Sequence, residues 1–182
     1  MLYYRYTLIF LTRADNVLMI HRRNPPNQGL WNGVGGRLEP GETPLAGALR
    51  EVYEETGYLL AAARFAGLLT WEGHAEPAGG LYIFTAAAPP GDPLTSEGIP
   101  LTNEGIPLTG AGLPQAQAGD EGPLAWKPRA WVLSSPEVVE NIHLFGPLVL
   151  NGAPIQEYHF IYAAGDTILS YEIRPLPPLH WE

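Results

Sequence analysis

The sequence predicts an α+β domain. Its β-like runs come in groups, one strong helix at 44–56 separates the first group from the second, and a shorter helix and a hairpin close the chain. That order contains no repeating strand–helix–strand unit of the kind that builds a parallel α/β sheet.

The elements follow in order. Residues 3–12 and 16–21 are β-like, and Arg13-Ala14-Asp15-Asn16 supplies the turn of a hairpin between them. Residues 24–36 read as a loop with four glycines. The helix at 44–56 has Thr43 as N-cap, Pro44 at its first position and Gly57 as its stop. Strands fit 64–72 and 81–87. From 89 to 123 the chain is rich in Gly, Pro, Ser and Thr and carries a tandem repeat, SEGIPLT at 96–102 and NEGIPLT at 103–109. Such repeats make neither a helix nor a ladder, so a flexible surface insertion in a single domain is expected. Structured sequence resumes at 124–133, Ser135-Pro136-Glu137 opens a second helix through about 144, and 157–163 and 168–173 form a hairpin around Ala164-Gly165-Asp166.

Composition narrows the function. The 182 residues hold 10 Lys+Arg against 19 Asp+Glu, a net charge of −9, which disfavours a grip on a nucleic-acid duplex. With no Cys there is no disulfide, thiolate metal site or Cys nucleophile. The apolar run Tyr6–Leu11 is too short to span a membrane and no targeting pattern follows it, so a cytoplasmic protein is expected.

Five of the 19 acids fall between Glu39 and Glu55. On a wheel of about 100° per residue, Glu51, Glu54 and Glu55 share a sector of about 100° with Gly47, while Leu45, Leu49, Val52 and Thr56 cluster opposite. The helix is therefore expected to keep a core face and an acidic face apart. Three like charges at i, i+3 and i+4 repel. Arg50 offsets some of that, and oxygen ligands without His or Cys suit Mg²⁺ or Mn²⁺. Gly33, Gly35 and Gly36 ahead of the helix allow close approach of a phosphate or a metal.

Residues 36–58 read GRLEPGETPLAGALREVYEETGY. The spacing of Gly36, Glu42, Arg50-Glu51, Val52, Glu54-Glu55 and Gly57 resembles the Nudix box. Tyr58 stands where an aliphatic residue is more usual. The resemblance implies a mixed sheet between helices, with the box as loop–helix–loop. It also implies metal-dependent hydrolysis of a nucleoside diphosphate linked to another group. By position, Glu51, Glu54, Glu55 and the Gly35 carbonyl are the implied metal ligands. Arg50 would orient the glutamates, and Glu42 would support the loop.

Flanking residues extend the likeness. Trp31-Asn32-Gly33-Val34-Gly35-Gly36, Asp120-Glu121 before Trp126, and 157–174 are similar to the MutT-like branch that hydrolyses oxidised purine nucleoside triphosphates. By that match Glu121 is a further metal ligand or the general base. Glu140 and Asn141, with Asn32 opposite, are the implied base readers, and Arg22 and Arg23 are further substrate-binding candidates. Two departures bear on the base: the pair is Glu-Asn instead of two aspartates, and Val138 stands where a stacking Trp is found. The implied substrate is a small nucleotide, cleaved by a monomer or homodimer. A dinucleoside polyphosphate, a nucleotide sugar, and a sensor that binds without hydrolysing are the alternatives.

Overall fold

A computed structural model of the chain describes residues 4–73, 78–93, 121–164 and 167–177. Most of the 89–123 stretch, with Asp120, lies outside them, as do Gly165 and Asp166 of the last turn. The described chain forms β1 (Tyr6–Arg13), β2 (Asn16–His21), β3 (Trp31–Asn32), α1 (Pro44–Thr56), β4 (Arg64–Glu72), β5 (Gly79–Ala87), β6 (Leu124–Pro128), α2 (Arg129–Val132), α3 (Ile142–Leu150), β7 (Gln156–Tyr162) and β8 (Ile168–Arg174).

The strands make one mixed sheet in the order β3-β2-β1-β5-β4-β7-β8, with β6 paired to β2. β1 runs parallel to β5 and β4 parallel to β7; the other pairs are antiparallel. Alternating side chains feed two cores. On one face Ile9, Leu11, Leu18, Leu68 and Phe84 pack with Val34, Ala48 and Val52 of the box region. On the other, Phe10, Val17, Ile83 and Phe160 pack with Ile142, Phe145 and Val149 of α3. The expected sheet between helices is what forms. No described helix is long and apolar enough to cross a membrane.

β1 and β2 pair only beside their turn, from Leu11↔Leu18 to Arg13↔Asn16. Beyond it, β2 bonds to β3 while β1 bridges to Val34 and Arg37. The segment 31–37 thus wedges into the splayed hairpin, and its glycines are the residues thin enough to enter. A Cβ on Gly33 would stand 2.9 Å from Leu8 Cδ1, and one on Gly35, at φ +148°, 2.2 Å from the Thr7 carbonyl oxygen. Gly35→Ala is expected to lower stability by about 2 kcal/mol or more, through strain at a special φ and a backbone collision. Urea unfolding checks this; an unchanged midpoint would contradict the wedge.

Two expectations need correction. The second helix does not begin at Ser135. Residues 135–141 are turns, and α3 starts at Ile142 and runs on past Pro147. The cause is tertiary: Trp31 N–H donates to Glu137 O (2.8 Å) and Val139 N–H to Trp31 O (3.0 Å), so this backbone pairs with β3 instead of coiling. Burial of Phe145 and Val149 carries the helix through a residue that breaks most helices. The acidic and apolar faces of α1 are also not separate. Leu45 is 39% exposed, whereas Glu55 is 6% exposed on the face turned to the sheet. Gly47, in the same sector as the glutamates, is packed closely: a Cβ there would stand 2.2 Å from Leu38 Cδ2 and 2.9 Å from Glu42 Oε2.

Candidate active site

α1 begins and ends as its sequence dictates. Thr43 Oγ1 accepts from Ala46 N–H at 3.2 Å, Pro44 opens the first turn, and Gly57 closes the helix in the left-handed region at φ 73°. The caps fix its register, and with it the direction of every carboxylate.

Arg50 is the hub. Its Nε and Nη2 donate to the two oxygens of Glu42 at 2.9 and 3.0 Å, a bidentate pair. Nη1 donates to Glu51 Oε1 at 3.0 Å and Glu54 Oε2 at 2.8 Å, and Nη2 also reaches Arg37 O at 3.0 Å. One guanidinium therefore holds three carboxylates and ties the box loop to the helix. Hydrogen bonding to Arg50 pulls the Glu42 carboxyl below its ordinary range, and the same bond raises the guanidinium. Burial outweighs Arg50 at Glu51, whose carboxyl is pushed up.

Glu55 has no such neutralisation. Among the described residues it accepts one hydrogen bond, from Gly35 N–H at 3.2 Å, and pairs with no cation. Burial first, then the charges of Glu51 and Glu121, push its carboxyl up to about 8; the Gly35 N–H and Arg22 pull the other way. Gly36 is part of the same arrangement: a Cβ there would lie 2.5 Å from the Glu51 carboxylate.

Glu121 comes in from the strand side. Arg23 N–H donates to its carbonyl at 2.8 Å, and Arg22 Nη1 lies 2.7 Å from its Oε2. Glu121 Oε2 is buried against this guanidinium, and Arg22 Nε is buried without a hydrogen-bond partner. Arg22 is committed to this pair, while Arg23 is exposed.

The described residues do not close three or more His, Asp or Glu side chains on one point. The donor set nonetheless fits a hard divalent cation. It offers oxygen alone, and it buries the Glu55 carboxyl, with no cation paired to it among the described residues, beside the charges of Glu51 and Glu121.

The other sequence candidates lie at one edge of the sheet. Asn32 sits on β3 and its Oδ1 accepts from Gly33 N–H at 2.9 Å. Segment 137–139 pairs with Trp31, which brings Glu140 and Asn141 to the same edge. Glu140 is exposed; Asn141 Nδ2 donates to Tyr162 Oη at 3.0 Å. Val138 is 2% exposed and belongs to the core.

Three arrangements were not read from the sequence. Tyr162 holds Asn141 across 21 residues. Lys127 Nζ lies between the rings of Trp31 (4.2 Å) and Trp131 (4.5 Å), and the order Trp126-Lys127…Trp131 was its one local trace. Tyr58 replaces an aliphatic residue because its hydroxyl is used: it donates to Gly91 O at 2.7 Å and accepts from Arg13 Nη2 at 2.9 Å.

A family model described as NUDIX domain matches residues 3–104, more than half of the chain. The oxidized purine nucleoside triphosphate hydrolase of Mus musculus is 33% identical over 93 residues, 50% of this chain and 60% of that protein. A putative 8-oxo-dGTP diphosphatase of Bacillus subtilis is 41% identical over 51 residues, 28% of this chain and 32% of that protein. The matched segments thus span three fifths or less of those relatives' own length. The crystal structure of a MutT protein from Bacillus halodurans superposes with a TM-score of 0.70 at 24% identity, covering 96% of this chain and 100% of that one. At that identity the likeness speaks for the fold.

Proposed function

The chain belongs to the Nudix family, and on that premise we propose that it is a divalent-cation-dependent hydrolase that cleaves an oxidised purine nucleoside triphosphate to the monophosphate and diphosphate. The observation that carries the reading is Glu55: a buried carboxyl with no cation paired to it among the described residues, next to Glu51 and Glu121 and facing the Gly35 backbone.

Glu51, Glu54, Glu55, Glu121 and the Gly35 carbonyl would hold Mg²⁺ or Mn²⁺. Bound there, the cation supplies charge to phosphoryl oxygens and acidifies coordinated water. The chain's own residues do the rest. Arg50 keeps Glu51 and Glu54 on one line of the helix. Gly35 N–H fixes one oxygen of Glu55 and so orients the other. Water adds to a phosphorus, the bridging P–O bond breaks, diphosphate leaves, and a carboxylate accepts the proton, with Glu121 the candidate from a separate loop.

On this reading Asn32 and Asn141 read the purine edge; the Tyr162 hydroxyl, which accepts from the Asn141 amide, supports it by fixing that amide's direction. A neutral amide offers both a donor and an acceptor, so a base lacking the matching groups is rejected by leaving them unpaired. The relatives named for oxidised purine nucleotides support this class. One observation favours a second reading, another nucleoside diphosphate derivative: Val138 is buried against Trp31 and puts no stacking indole beside Glu140.

Turnover of 8-oxo and ordinary purine nucleoside triphosphates, nucleotide sugars and dinucleoside polyphosphates separates the two. The proposal expects the highest kcat/KM for an 8-oxo-purine triphosphate, with diphosphate as co-product. It also expects Tyr162→Phe to narrow that preference with little change in the rate on the ordinary nucleotide. A preference for a dinucleoside polyphosphate or nucleotide sugar overturns the substrate and keeps the family chemistry.

A further inference from the structure

A second polar site lies at the far end of the sheet, on the opposite face from Glu55. Phe10, Ile83 and Ala66 belong to the core under α3. Alternation carries that face on to Thr12, Thr85 and Arg64, with Arg64 and Thr85 paired across β4–β5. Where three neighbouring strands should go on supplying core, they supply two hydroxyls and a guanidinium. Residues 149–152, at the end of α3, and Arg129 border an open cavity of about 830 Å³. That lies within the roughly 300–1,000 Å³ of small-molecule sites. Thr12 is five residues along β1 from Thr7, which bounds Gly35; at about 3.4 Å per residue this is about 17 Å.

The two guanidiniums are anchored and only partly used. Arg64 Nη2 donates to Val149 O at 3.3 Å. Arg129 Nη1 donates to Leu150 O at 3.3 Å and Asn151 Oδ1 at 3.1 Å, while its Nε is buried without a hydrogen-bond partner. Capping of the α3 carbonyls accounts for one bond from each. It does not account for the volume beside them or for Thr85, and Thr12 Oγ1 makes only a long bond, donating to Ala86 O at 3.4 Å. The facing acid is Asp15, 3.7 Å from Arg129 Nε and 83% exposed, which neutralises little. No carboxylate faces Arg64 among the described residues. In a chain of net charge −9 with 10 basic residues, this cavity inverts the local sign.

We propose that the cavity binds a phosphate-bearing small molecule. Arg64 and Arg129 hold the phosphoryl oxygens in forked geometry, Thr12 and Thr85 add hydroxyls, and the methyl groups of Ala62 and Ala87 border the remainder. The inference is independent of the reaction at Glu55.

Calorimetric titration in EDTA, which removes the divalent cations the first site would need, tests it with inorganic phosphate, diphosphate and a nucleoside 5′-monophosphate as separate probes. Saturable binding of at least one is expected in the native chain and equally in Glu55→Gln. Arg64→Gln, at an exposed position, should weaken it about tenfold or more, as loss of a charged hydrogen bond does. Thr12→Val combined with Thr85→Val should weaken it too, and turnover should be unchanged in both. A tighter nucleotide arm shows that the organic body contributes; a tighter inorganic arm shows that phosphate suffices. Binding of no probe, or binding unaltered in both variants, overturns the proposal.

Discussion

Glu55→Gln is expected to lose turnover by about 10³-fold or more, because several kcal/mol of charge stabilisation at the phosphoryl group go with the bound cation. The same change should leave the metal-free fold intact and alter its pH dependence in a defined direction. The Glu55 carboxyl is pushed up to about 8 by burial, from an ordinary value of 4.5. Between those values the folded chain holds a proton that the unfolded chain has released. That contribution to stability is complete below about pH 4.5 and is lost as pH rises through about 8. In EDTA the native chain should therefore weaken across this window by up to about 1.4 kcal/mol per pH unit, while the glutamine variant, having no proton to lose, stays flatter. Above pH 8 the inactive variant should be the more stable protein. Urea unfolding at pH 5, 7 and 9 checks this, and parallel pH profiles would contradict the buried, uncompensated carboxylate.

Arg50→Ala should be the most damaging single change to the fold of the site. Five hydrogen bonds disappear together, and Glu42, Glu51 and Glu54 are left facing one another. Breaking a buried pair costs about 3–5 kcal/mol. Arg50 is 23% exposed and Glu54 52%, so solvent screening brings the expectation to about 2–3 kcal/mol. Arg50→Lys keeps the charge without the fork and should recover part of it. The acid limb carries a further sign. Glu42 is held below 4.5 chiefly by Arg50, so it adds stability above pH 4.5 that is lost as pH falls through its lowered value; the alanine variant should lose this slope. Turnover should fall by about 10²-fold, as it does when groups that orient metal ligands are removed. A variant with native stability and rate would remove Arg50 from the centre of the arrangement.

The parts of the fold that were legible are those set by local signals. Thr43, Pro44 and Gly57 fixed both ends of α1, and β-branched and aromatic runs between turn residues located β1, β2, β4, β7 and β8. What failed depended on distant partners. Ser135-Pro136-Glu137 has the form of a helix start, yet its backbone is drawn into pairing with Trp31, more than a hundred residues earlier. β3 spans two residues and has no period to detect. At the site, spacing alone placed Glu51, Glu54 and Glu55 together. The wheel could not show that Glu55 turns toward the sheet, because the occupants of that side, the Gly35 wedge and Glu121, arrive from distant loops. The same holds for Arg22, whose commitment to Glu121 depends on residues 121–123 meeting 21–23. Glu140 and Asn141, expected on a helix, stand in the turn before one, where Tyr162 holds the amide.

The central claim is that the carboxylates of α1 assemble a divalent-cation site that hydrolyses a nucleoside triphosphate. The most direct measurement is product release from an 8-oxo-purine nucleoside triphosphate as Mg²⁺ is titrated from zero, with monophosphate and diphosphate followed separately. The account predicts no turnover in EDTA, a saturable rise with Mg²⁺, monophosphate and diphosphate in equal amounts, and no rise in Glu55→Gln. Turnover that persists in EDTA, or that is retained in Glu55→Gln, would contradict it.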